Sequence, residues 1–188
     1  MEVRKDWAAL ISQTGSEVIA IAKKTGYLPG LLVTNRPHKI PEDNVEYLRE
    51  QGVRGVTLPL RPLLEHYLIP ELLDKKLITL HGYLRIIPPG FFDHFQGKIY
   101  NGHPALISKY EELKGFNKQE DIAGQQEKYP TCGSVIHEVI PELDSGKIVT
   151  VVEVDNTAKT IEEAYSLLRE TSLQSWGSFF SNVWKFEK

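Results

Sequence analysis

Short apolar runs such as WAALIS (residues 7–12), GLLVTN (30–35), LITLHGYL (77–84) and GKIYNGH (97–103) alternate with longer segments carrying apolar residues at helical spacing. That alternation restricts the chain to an α/β architecture, because runs of strand length and stretches of helix length take turns along it. The reading predicts a mostly parallel twisted sheet with helices on both faces, a Rossmann-type arrangement. Ser16 is placed as the cap of a helix over EVIAIAKKTG that stops at Gly26. A second helix is expected near EDNVEYLREQG, with acid at its start and Gly52 as a stop. VRGVTLPL reads as a further strand. RPLLEHYLIPELLDKK has helical periodicity that Pro70 should kink or interrupt.

The second half has a different texture. Residues 108–131 are polar, with one short helix expected around KQEDIAGQ. CGSVIHEVI and KIVTVVEV then read as β-branched strands joined by PELDSG, a connection short enough to imply antiparallel pairing. Thr160 to Trp184 closes the chain as an amphipathic helix, and its aromatic and leucine stripe reads as a core face.

The chain has 188 residues, 41% hydrophobic and 25% charged, with a formal net charge of −3. This length favours a single domain spanning residues 1–188. The charge balance advertises neither a nucleic-acid nor a membrane-surface partner. The lone Cys132 fits a reducing compartment. No signal core is seen near the N-terminus and no run approaches a membrane span, so a cytoplasmic protein is expected, as monomer or homodimer.

NGHPAL, residues 101–106, carries an amide and an imidazole out of the end of a strand and then fixes the next φ with Pro104. In open α/β sheets ligands bind at the C-terminal ends of strands, which singles out His103 among the histidines. Taken alone, Asn101 is a turn residue by default and Asp144 in ELDSG a plausible turn aspartate. The Gly15-Ser16 pair after the first strand is able to present backbone N–H groups to an anion, although such a pair is more often only a cap.

Together these segments resemble the phosphoribosylglycinamide formyltransferases, which transfer a formyl group from 10-formyltetrahydrofolate. HGYLRIIPPGFFDHFQGKIYNGHPALISKY is similar to that family's central segment, which leads into Asn-x-His-Pro. CGSVIHEVIPELDSG resembles its strand and aspartate loop, and ISQTGSEVIAIA its opening strand, Gly-Ser turn and helix. The resemblance implies that Asn101, His103 and Asp144 are catalytic. It implies a folate pocket at Leu84, Arg85, Ile86 and Ile87 and along Ile140, Pro141, Glu142, Leu143 and Asp144, with Arg61 near the glutamate tail. Gly15, Ser16 and Glu17 match the turn that holds the substrate phosphate. The co-substrate implied is 10-formyltetrahydrofolate, the partner a small-molecule amine, and no metal is expected.

The chemistry suits those residue types. Amine attack on the formyl carbon creates an oxyanion, and donors aimed at it lower the barrier most. The Asn101 amide and a protonated His103 are such donors, and a carboxylate beside the histidine is able to order a proton-relaying water.

The chain also departs from the family pattern. Glu17 stands where Asn is usual, Thr171-Ser172 replaces an expected acid and histidine, and Ala105, Ser108 and Ser145 replace Ser, Pro and Gly. A Glu17 carboxylate facing the turn repels phosphate, which predicts weak use of phosphoribosylglycinamide and improvement on Glu17→Asn; the alternative is an outward-facing helix acid. These departures fall on the acceptor side and leave the formyl-transfer centre intact; the default activity is formyl transfer to phosphoribosylglycinamide, in purine biosynthesis. The alternatives are another amine (an amino sugar nucleotide or a modified nucleotide), hydrolysis of the cofactor, and folate binding without turnover.

Overall fold

The computed structural model describes residues 1–58, 70–115 and 120–184. Its strands are β1 (Glu2–Ile11), β2 (Tyr27–Thr34), β3 (Arg54–Thr57), β4 (Leu77–His81), β5 (Lys98–His103), β6 (Thr131–Glu138) and β7 (Ile148–Asp155). The helices are α1 (Ser16–Thr25), α2 (Glu42–Glu50), α3 (Pro70–Leu73), α4 (Pro89–Phe92) and α5 (Ile161–Val183). The strands form a seven-stranded sheet in the order β3-β2-β1-β4-β5-β6-β7. β1 pairs in parallel with β2 and β4, β2 with β3, and β4 with β5, whereas β6 and β7 are antiparallel as the short PELDSG connection predicts. By contact the chain gathers into two compact units, Met1–Asn101 with Val139–Glu142, and Gly102–Glu138 with Leu143–Lys188.

In the first unit the chain runs outward from β1 to β2 and β3, then returns to β4 on the other side of β1. The strand order reverses between β1 and β4, the position at which open α/β sheets leave a crevice beyond the strand ends. β4 is buried along its whole length, and the C-terminal half of β1 likewise. Leu10, Val33, Ile78, Leu80, Phe91 and Phe95 share one apolar cluster, in which the Phe91 and Phe95 rings stack at 5.1 Å. Burying side chains of this size contributes ~1.5–3 kcal/mol each, so this cluster holds the strand ends in place.

β1 begins earlier than its apolar run. EVRKD pairs with the start of β2 through Glu2↔Tyr27, Val3↔Leu28 and Arg4↔Pro29 before the register shifts. Its polar, partly exposed residues concealed it from a reading based on apolar runs. Beside this irregularity Gly30 approaches the backbone closely; a Cβ there would lie 2.8 Å from the Arg4 carbonyl oxygen. α1 is capped by Gly15, at φ 74°, and not by Ser16, which is its first residue. The expected stop holds, with the Gly26 N–H donating to the Ala22 carbonyl at 2.8 Å. Of RPLLEHYLIPELLDKK, residues 59–69 lie outside the described part, and α3 starts at Pro70.

In the second unit β6 is buried from Cys132 to His137. α5 packs on β6 and β7, opening with a capping box in which the Glu163 N–H donates to Thr160 Oγ1 at 3.2 Å and the Thr160 N–H to Glu163 Oε2 at 3.3 Å. Trp176, Phe180 and Trp184 stack along its buried stripe. Thr171 is buried, its hydroxyl 2.9 Å from that of Ser134 on β6. Of the helix expected around KQEDIAGQ, residues 118–119 lie outside the described part, and the described residues form a 3₁₀ turn, Glu120–Ile122.

Candidate active site

β5 ends on the NGH triplet. Asn101 and His103 are alternate residues of one strand and so project to the same face. Gly102 between them projects the opposite way, where a Cβ would meet the Trp176 indole at 2.6 Å from Nε1. The triplet is thus fixed by packing on one side and left to carry polar groups on the other. No larger residue fits at Gly102 without moving a fully buried tryptophan.

His103 is buried, and its Nε2–H donates to the Leu113 carbonyl at 2.9 Å. A carbonyl only accepts, so that bond assigns the ring's proton to Nε2 and leaves Nδ1 facing the Asp144 carboxylate, 3.8 Å from Oδ2. Asp144 comes from the β6–β7 connection and is held in left-handed backbone at φ 49°, the one non-glycine residue with positive φ among those described. Its Oδ2 accepts the Gly115 N–H at 2.9 Å.

A third member was not singled out in the sequence. His137, near the end of β6, donates Nδ1–H to the Glu138 carbonyl at 2.9 Å and turns Nε2 toward Asp144 Oδ1 at 3.5 Å. Burial holds this ring below the usual imidazole range; Asp144 opposes that shift and His103 adds to it. The available signal was a histidine following the apolar pair Val135-Ile136 in a strand read as buried, where an ionisable group is costly unless partnered. Neither carboxylate–imidazole separation is a short hydrogen bond, and a gap of this width suits a bridging water or reacting atom. Cys132 offers no competing nucleophile, because burial pushes its thiol up to about 11.

The first unit builds a different polar cluster at its strand-order reversal. Trp7 Nε1–H donates to Thr79 Oγ1 at 2.8 Å, Thr79 Oγ1 lies 2.8 Å from His81 Nε2, and His81 Nδ1 lies 3.0 Å from Glu17 Oε2. A neutral His81 ring protonated at Nδ1 satisfies every link. Glu17 therefore neither confronts the Gly15 turn alone nor points outward; it turns onto His81, a partner the sequence reading lacked. Nearby, Ser12 Oγ donates to Asn35 Oδ1 at 2.7 Å and accepts the Leu84 N–H at 2.9 Å, fixing the start of the 84–87 loop.

The other expected site residues fall as follows. Gly15 is buried, Ser16 half-buried, and Ser16 Oγ lies 2.9 Å from Thr14 Oγ1. Leu84 and Arg85 are half-buried, Ile86 is 62% exposed and Ile87 is buried. Ile140 is half-buried, Pro141 and Glu142 are exposed, and Leu143 is 53% exposed. Arg61 lies outside the described residues.

The fold is a doubly wound sheet with Asn101 and His103 at the end of β5 and Asp144 in the β6–β7 connection. The Formyl transferase family model matches residues 69–174, and the chain belongs to that family. It is 30% identical to the phosphoribosylglycinamide formyltransferase of Escherichia coli (strain K12) over 154 residues, covering 77% of this chain and 70% of that protein. The Haemophilus influenzae protein of the same name is 37% identical over 99 residues, covering 52% of this chain and 44% of its own. Among solved structures, that of phosphoribosylglycinamide formyltransferase from Campylobacter jejuni shares the fold with a TM-score of 0.79 at 20% identity, over 95% of this chain and 97% of that one.

Proposed function

We propose that the chain acts as a single catalytic domain that transfers the formyl group of 10-formyltetrahydrofolate to the amine of phosphoribosylglycinamide. The observation that carries this reading is the convergence of His103 Nδ1 and Asp144 Oδ2 at 3.8 Å, residues far apart in sequence. In the proposed reaction the amine nitrogen attacks the formyl carbon, and the carbonyl oxygen becomes an oxyanion. The Asn101 amide N–H and a protonated His103, donating through Nδ1, stabilise that charge. Asp144 holds the water that carries the proton from the attacking amine; collapse of the intermediate re-forms the carbonyl, breaks the bond from the formyl carbon to the folate nitrogen and passes that proton to the departing nitrogen, releasing tetrahydrofolate. His137 is a positioning residue that turns the Asp144 carboxylate.

The folate is assigned to the 84–87 loop and to residues 140–144. Ile86 and Leu143 support this, since large apolar side chains this exposed suit a flat apolar ligand. The substrate phosphate is assigned to Gly15 and Ser16 at the start of α1. The test is incubation with 10-formyltetrahydrofolate and phosphoribosylglycinamide, following tetrahydrofolate release. Release that requires the amine is expected. Formate release without any amine replaces the reading with hydrolysis, and no turnover with bound folate replaces it with a binding protein.

A further inference from the structure

His103, His137 and Asp144 share a second property: each histidine is tied to the backbone by its outer ring nitrogen, and Asp144 by Oδ2, the oxygen nearer His103. His103 Nε2 donates to the Leu113 carbonyl, His137 Nδ1 to the Glu138 carbonyl, and Asp144 Oδ2 accepts from the Gly115 N–H. These bonds fix which atom of each side chain faces the middle of the cluster, namely His103 Nδ1, His137 Nε2 and the Asp144 carboxylate. The three ligand atoms lie within 4.8 Å of one another. Outer-atom bonding of this kind is what orients imidazole and carboxylate ligands around a metal ion and sets the tautomer that leaves the inner nitrogen able to coordinate.

We propose that His103, His137 and Asp144 form a binding site for a divalent transition-metal ion of the zinc class. A tetrahedral zinc ion with arms of ~2.0–2.2 Å sets its ligand atoms ~3.4 Å apart. The separation from His137 Nε2 to Asp144 Oδ1 is already 3.5 Å, and that from His103 Nδ1 to Asp144 Oδ2 is 3.8 Å. Two imidazoles and one carboxylate favour zinc over calcium or magnesium, which prefer all-oxygen shells. Three protein ligands leave a fourth position for water or a carbonyl oxygen. All three side chains are at most 8% exposed, so the surroundings are dry enough to favour coordination over hydration. The resemblance implied no metal, and the ligands at positions 103, 137 and 144 carry none of the short-range pairs that mark metal motifs.

An ion in this position takes up the His103 nitrogen and the Asp144 oxygen that formyl transfer uses, so zinc inhibits transfer. That consequence rests on the proposed activity, whereas the site itself does not.

The experiment titrates metal-free protein with zinc chloride by calorimetry, and records zinc-edge X-ray absorption on the wild-type complex. One ion per chain is expected, with a first shell of nitrogen and oxygen scatterers including imidazole. His137→Asn and Asp144→Asn should each weaken binding ~10-fold or more. Absence of binding up to ~1 mM zinc overturns the proposal. So does a sulfur scatterer, which places the ion at Cys132, or an affinity unchanged in both variants. The absorption spectrum needs no variant and decides the matter even if both substitutions unfold the chain. Zinc bound with the expected shell while transfer proceeds at full rate upholds the site and removes His103 and Asp144 from the reaction.

Discussion

Both units bury a histidine next to a carboxylate, and the two arrangements differ in how completely they are closed. In the first unit every link of the Trp7–Thr79–His81–Glu17 chain is 3.0 Å or shorter. In the second the carboxylate stands 3.5 Å and 3.8 Å from its two imidazoles, while the outer nitrogen of each imidazole and one carboxylate oxygen are bound to backbone. The first cluster uses its polar groups on one another, so its contribution is to hold strand ends together. The second fixes orientation from outside and keeps its inner separations open, which is the geometry a reacting group or ion needs. Residue type alone does not separate a structural histidine from a chemical one; the closure of its bonds does.

The contrast is testable from the largest effect downward. Asp144→Asn should lower turnover ~10²-fold or more while folate affinity stays within a few-fold, since the carboxylate acts mainly in the transition state, and His103→Ala should behave alike. Steady-state kinetics with folate titration checks this, and wild-type turnover in either variant removes that residue from the reaction. Thr79→Val takes a hydrogen bond from both Trp7 and His81 in the buried chain. It should cost ~1–3 kcal/mol of stability, read from urea unfolding, with kcat unaffected. If kcat falls as steeply as in Asp144→Asn, the division between the clusters fails.

A smaller effect follows from His137, whose ring faces Asp144 and His103. Burial lowers its proton affinity in the folded chain relative to the ordinary value of 6.5, so the unfolded chain binds more protons as pH falls below that value. Stability should therefore decline as pH drops through about 6.5 and recover above it. His137→Gln should flatten the urea midpoint between about pH 5 and pH 7.5. An unchanged pH profile assigns the acid sensitivity to other groups. The smallest effect is expected at Glu17. Because His81 already holds its carboxylate, Glu17→Asn should raise kcat/KM for phosphoribosylglycinamide by only a few-fold, less than the tenfold that ~1.4 kcal/mol of relieved repulsion gives. A larger rise means that the hydrogen bond to His81 does not keep the Glu17 carboxylate from the phosphate turn.

These differences also explain what the sequence disclosed. Apolar alternation located β2, β4 and β5 because parallel strands covered on both faces must read that way. It missed the first residues of β1, which pair through backbone groups and leave polar side chains in water. Resemblance directed attention to Asn101, His103 and Asp144, and the structure brings His103 and Asp144 within 3.8 Å. His137 carries no local signal of its relation to Asp144, which exists only once the β6–β7 connection folds back. His81 was hidden for the same reason: nothing local links it to Glu17, 64 positions away.

The left-handed backbone of Asp144 sets stability and chemistry against each other at a single position. Glycine adopts that conformation without the steric cost an L side chain bears, on the order of 1 kcal/mol. A search for sturdier variants scored only on heat resistance would favour Asp144→Gly, and would thereby discard the carboxylate. This chain carries aspartate there all the same, at φ 49°, so its backbone accepts a cost that glycine would remove.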